Sequence, residues 1–173
     1  MARERLSTLL VAVLAGTACA GGPRASEPDR HVAVYAAVIR HMTAEKGQAS
    51  GYPVIYVLDR LDPAAGNPAS GGEPTTPIPE EVQAGIRQGL TDVGNIEFIS
   101  DADSVKAPEG QGGRVKGGGI LLTLGPIRGE GERVQVPANG YLGNLAAWSQ
   151  TWVVERRDGA WSVTGTTGPI AVS

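Results

Sequence analysis

The stretch WSQTWVVERRDGAWSVTG, residues 148–165, decides the fold. Asp158-Gly159 is the strongest short hairpin signal in the chain, because a two-residue turn needs positive φ and these residue types tolerate it. Taking the pair as the turn sets Arg156 opposite Trp161 and Val154 opposite Val163. One face then carries Trp148, Trp152, Val154, Trp161 and Val163; the other carries Thr151, Glu155, Arg157, Ser162 and Thr164. A slip of one residue would turn every tryptophan to water, so the hydrophobic pattern specifies the register. Arg156 is the odd member of the apolar face, and its guanidinium is expected over the Trp161 ring.

Upstream of this hairpin the pattern stays antiparallel back to Gly119. ILLTLGPI (120–127) reads as a strand, RGEGE (128–132) as a turn and RVQV (133–136) as its partner, with PANGYLGNLAA (137–147) linking to the hairpin. Earlier still, NIEFIS (95–100) is a short strand with Ile96 and Phe98 inward. Val54–Asp59 is a strand whose apolar residues point both ways, so both its faces are expected to be covered. Two helices complete the set. The first runs from about Asp29, its expected cap, to Gly47, with Val32, Tyr35, Ala36, Ile39 and Met42 on one face and Val34 and Val38 widening it. The second opens at Pro79 and buries Val82, Ile86, Leu90 and Val93. Gly85 and Gly89, one turn apart in it, are expected where another element approaches closely.

Helices first and antiparallel strands after them imply an α+β domain. Two helices pack on a curved, mainly antiparallel sheet that ends in the Asp158-Gly159 hairpin. A single domain over 29–173 is expected, with long loops at 62–78 and 101–118, both rich in glycine and proline. The bulk numbers agree: 41% hydrophobic residues with 25 Gly and 12 Pro suit one domain with long connections. A net charge of −3 gives no electrostatic footprint for nucleic acid.

The chain begins MARERLSTLLVAVLAGTACAGG. Arg3 and Arg5, an apolar run from Leu6 to Ala15 and small residues from Gly16 have the three parts of a secretory signal, expected to span 1–18. This run of ten residues rises only about 15 Å as a helix, half a bilayer core, which argues against a permanent span. Gly16-Thr17-Ala18-Cys19 resembles the processing site of bacterial lipoproteins, in which the cysteine becomes the lipidated N-terminus. That resemblance implies acyl chains such as palmitate on Cys19, the only cysteine, and a tether over 19–28. Ordinary cleavage before Gly21 is the alternative, since Ala18-Cys19-Ala20 fits small-x-small and Gly16 stands where lipoproteins usually have an aliphatic residue.

The element order over 29–167, together with the terminal VVERRDGAWSVTG, resembles the cone-shaped NTF2-like and cystatin-like domains. The chain as a whole is similar to uncharacterised secreted and lipoprotein domains of actinobacteria. Such folds hold enzymes, ligand binders and dimerisation modules alike, so the resemblance implies a fold and not an activity.

Chemistry is thinly marked. His31 and His41 are ten residues apart, about 80° around one helix, and do not converge. There is no G-x-S-x-G and no H-E-x-x-H, and DADS (101–104) lacks the ligand spacing of a calcium loop. GQGGRVKGGG (110–119) leads into a strand and so lacks the helix terminus that would hold a phosphate. No metal or cofactor is expected. Asp59, at the end of the Tyr56-containing strand, and His41 are the candidate catalytic groups. Tyr56, Trp148 and Trp152 are the candidate binding residues. The expected function is a binding module exported and held at the membrane through lipidated Cys19. Its partner is an envelope protein or a small apolar ligand between helix and sheet. The alternatives are a small pocket enzyme, an isomerase or hydrolase using Asp59 or His41, and a soluble secreted protein.

Overall fold

The computed structural model describes residues 26–44, 51–67, 73–108 and 113–172. The signal, Cys19, most of the tether and the Gly47 helix stop lie outside the described residues. The first helix, α1, is Glu27–Ala44 and begins two residues earlier than the Asp29 start. Ser26 is the residue that closes its end. Its Oγ accepts the Asp29 N–H at 3.3 Å and donates to Asp29 Oδ2 at 2.6 Å, so Ser26 takes the capping role expected of Asp29.

Strands follow as β1 (Val54–Leu58), β2 (Arg60–Leu61) and β3 (Thr76–Pro77), then helix α2 (Glu80–Gly89), then β4 (Asn95–Ile99), β5 (Ile120–Leu124), β6 (Arg133–Gly143), β7 (Ala146–Arg157) and β8 (Ala160–Val172). Six of them form one sheet in the order β4-β1-β5-β6-β7-β8, while β2 and β3 make a separate pair. The ladder is antiparallel from β5 to β8, and β1 joins it parallel to both β4 and β5. A β-α-β unit is thus grafted onto an antiparallel meander, and the domain is α+β.

The terminal hairpin has the register its sequence specifies. Arg156 faces Trp161 and Val154 faces Val163, with Asp158 at φ 51° in the turn. The cation over the Trp161 ring is Arg30 of α1, 5.7 Å from the centroid, while Arg156 Nε donates to Gly159 O at 3.4 Å.

The β5–β6 pairing corrects the sequence reading. RVQV does not face ILLTL; Leu122 pairs with Gly140 and Leu124 with Ala138, so PANGY is strand and not link. Pairing resumes at Arg128–Gln135, shifted by one residue, with both N–H···O bonds at 2.8 Å. The break accommodates Pro137, which has no N–H and is tolerated where a ladder is irregular. Gly125 N–H donates to Pro137 O at 2.7 Å, and a Cβ on Gly125 would lie 2.7 Å from Pro137 Cγ, so that position needs glycine.

Both helices lie on one sheet face. Ile39, Met42, Ile86 and Leu90 close over Ile55, Ile120, Leu122 and Leu124. The stripe of α1 centres on Val34 and Val38, both fully buried, and Val32 moves to its margin because it packs on α2. A Cβ on Gly85 would meet Val32 Cγ2 at 2.6 Å, which is the close approach expected there. Nothing lies within 4 Å of a Cβ on Gly89, so the same expectation fails at that position.

The two long loops cover much of the other face. Leu58 and Leu121 pack with Val105 and Val115 of the second loop. Gly66 of the first loop donates to Asn139 Oδ1 at 2.8 Å and lies against Pro137 and Thr151. Buried Asp62 anchors that loop: its N–H donates to Leu124 O at 2.9 Å and its Oδ1 accepts from Ala64 N at 2.7 Å.

Candidate functional site

The structure separates the candidate residues over both sheet faces. His41, near the end of α1, stands edge-on to Trp152 with ring centroids 4.8 Å apart. Trp148 and Trp152 both belong to the helix-side core, where Trp148 lies flat against Gly140. Tyr56 points the opposite way and packs with Leu58, Val105 and Leu121. Tyr56 and the two tryptophans therefore do not line one site.

Asp59 follows β1, at the other side of the sheet from Trp152. Strands β5 and β6 intervene between β1 and β7, which at about 4.8 Å per strand is roughly 14 Å. The backbone of Asp59 is tied into the fold, its N–H donating to Ile99 O at 2.9 Å and its C=O accepting from Ile78 N at 2.7 Å. Its Oδ1 sits 3.7 Å from Arg60 Nε and makes no hydrogen bond among the described residues. Asp59 and His41 are not brought to one cleft. Among the described residues no three His, Cys, Asp or Glu side chains are grouped as metal ligands.

Among the grooves formed by the described residues are four of about 390 to 650 Å³. One, of about 480 Å³, runs between α1 and the hairpin, lined by Ala33, Ala37, His41, Trp161 and Val163. Its helix side is a stripe of alanines, the ordinary consequence of small residues facing a sheet edge. A second, of about 390 Å³, lies between the first loop and the β8 bulge, with Arg128, Gln135, Thr151 and Thr167. A third, of about 430 Å³, surrounds Lys106 and Tyr141.

The largest, about 650 Å³, opens at the end of the sheet where β6 turns into β7. Tyr52, Arg114, Val115, Leu142, Leu145 and Ala146 line it. Its walls are built by the second loop bonding to the end of β6. Val115 N–H donates to Leu142 O at 3.1 Å, and Ala107 N–H to Arg114 O at 2.8 Å. The Tyr141 hydroxyl lies 2.7 Å from Gly113 O and 2.8 Å from Asn144 Oδ1, pinning loop to turn. Gly113 has φ 57°, and its missing Cβ makes room for the Asn144 side chain.

Three features single this groove out. Leu145 is 91% exposed on its rim. Tyr52 is only 3% exposed, yet its hydroxyl meets no hydrogen-bond partner among the described residues. Burial pushes that hydroxyl's pKa up, which keeps it a donor. Finally, Arg114 has no ion pair, hydrogen bond or ring contact for its guanidinium among the described residues. Every other described arginine is engaged: Arg40 with Asp92, Arg60 with Asp59, Arg133 and Arg157 with Glu155, Arg30 and Arg87 with rings, and Arg128 and Arg156 with carbonyls.

No protein-family model matches the chain, and no curated protein or solved structure matches it either.

The sequence reading missed this site because its residues are scattered over nearly a hundred positions. Arg114 fell in a stretch read only as flexible loop, and Leu145 in one read as a link. The legible signal was Leu145 itself, an apolar side chain in a turn. The edge strand β8 exposes Ile170 (66%) and Val172 (73%) as well. Its register against β7 shifts twice, and it carries Pro169, devices that blunt a sheet edge against pairing.

Proposed function

We propose that this protein is an exported binding module held at a membrane surface through lipidated Cys19, and that it binds its ligand in the groove at the β6–β7 end of the sheet. The observation that carries the binding role is that groove: a concave, largely apolar surface with a guanidinium that has no partner among the described residues. Ligand sites combine apolar walls with a few convergent polar groups in this way. Asp59 lines none of the four grooves and His41 lines one without a carboxylate beside it, which supports a binding role over a pocket enzyme using Asp59 or His41. Support for export and anchoring comes from the sequence of residues 1–19, with its charged start, short apolar run and single cysteine. No helix among the described residues is long and apolar enough to cross a membrane. Multiple acyl chains hold a protein stably where one would not.

The test is fractionation of cells expressing the wild type and Cys19→Ala. The wild type is expected in the membrane fraction and the variant in the medium or soluble fraction. Recovery of both free, with mature N-termini at Gly21, overturns the anchor.

A further inference from the structure

Resting on that reading of the groove as the binding site, we infer that its ligand is an amphipathic monoanion: a long apolar chain ending in one carboxylate. The argument starts from charge. A guanidinium that meets no carboxylate, ring or carbonyl among the described residues, where every other described arginine meets one, is available to an anion from outside. Arg binds carboxylate through two parallel N–H donors, so a planar carboxylate fits it better than a point charge does.

Apart from Asn144 and three glycines, the remaining lining is apolar. Val115, Leu142, Leu145 and Ala146 offer hydrocarbon and no second cation, which disfavours a polyanion such as a nucleotide. Leu145, almost wholly exposed on the rim, and half-buried Leu142 both offer side-chain surface to an apolar chain. Tyr52 lines the groove with a buried side chain whose hydroxyl has no hydrogen-bond partner among the described residues. A cavity of about 650 Å³ lies within the range of small-molecule sites, roughly 300–1,000 Å³. The two groups the ligand needs thus stand side by side: one cation and one apolar wall.

Dodecanoate, kept below micelle formation, is the probe. Binding to the purified full chain is followed by isothermal calorimetry, with methyl dodecanoate as a neutral ligand of the same chain length. The wild type is expected to bind dodecanoate saturably at one site. Arg114→Gln and the ester are each expected to weaken binding by roughly tenfold or more, the loss of a charge-assisted pair. Leu145→Ser is expected to weaken acid and ester alike, while Arg156→Gln, at the opposite end of the hairpin, leaves binding unchanged. Both groove substitutions are at exposed side chains, and circular dichroism verifies their fold. Absence of saturable binding by the wild type, equal binding of acid and ester, or insensitivity to Arg114→Gln each overturns the inference. None of these outcomes moves the protein in the fractionation experiment, so failure here is distinguishable from failure of the anchored reading.

Discussion

Gly140 of β6 lies directly opposite Trp148 of β7, and the indole covers the place where a Cβ would project. The tryptophan is buried because its neighbour has no side chain. Gly140→Ala forces the ring off the sheet in a packed core, and overpacking of this kind costs about 2–3 kcal/mol. For a chain of this length that corresponds to a melting temperature lower by roughly 5–10 °C. Thermal unfolding followed by tryptophan fluorescence checks it; an unchanged midpoint would show that Trp148 is not seated on Gly140.

The glycines of α2 are expected to respond in opposite directions. Gly85→Ala collides with Val32 across the α1–α2 contact and should destabilise. Gly89→Ala meets nothing and should stabilise by up to about 1 kcal/mol, the difference in helix propensity. Chemical denaturation of the two variants side by side separates them, and equal shifts would contradict the packing.

Tyr35 gives a pH dependence. Its hydroxyl donates to Gly125 O at 3.3 Å, and burial pushes its pKa up to about 12, against the smaller opposing effect of a backbone hydrogen bond at Ile127. The folded-state pKa is above the unfolded value near 10, so this stabilisation is complete below pH 10. It is lost as pH rises toward and through 12, because only the unfolded chain ionises readily there. At about 1.4 kcal/mol per pKa unit the loss reaches about 3 kcal/mol. Stability measured from pH 9 to 12 should fall less steeply in Tyr35→Phe than in the wild type.

Asp59→Asn tests the bland role of this carboxylate. Its ion pair with Arg60 is partly exposed and 3.7 Å long, the kind worth at most about 1 kcal/mol. Stability should change by no more than that, and dodecanoate binding not at all. A change in that binding would tie Asp59 to the groove.

The helices, most of the strands and the register of the last hairpin were legible because each rests on a local period or a two-residue turn. Val154 opposite Val163 follows from Asp158-Gly159 alone. Where a local signal contradicted the fold, the reading went astray: Pro137 and Gly140 mark PANGY as loop, but a bulge absorbs the proline and Trp148 occupies the space above the glycine. The candidate residues fared similarly. His41 and Trp152 do meet, whereas Tyr56 faces the opposite side of the sheet, since neighbours in one strand alternate faces and distant residues choose partners by tertiary packing.

By itself the sequence determined that this is an α+β domain with two amphipathic helices and a terminal hairpin of fixed register. Periodicity, turn chemistry and composition act within a few residues and need no long-range information. Only the tertiary structure decided that β1 lies between β4 and β5 and that two glycine-rich loops cover the face the helices leave open. It also decided that Tyr52, Arg114 and Leu145 share one groove. Those outcomes depend on which distant surfaces bury each other best, a competition over the whole chain that no short stretch records.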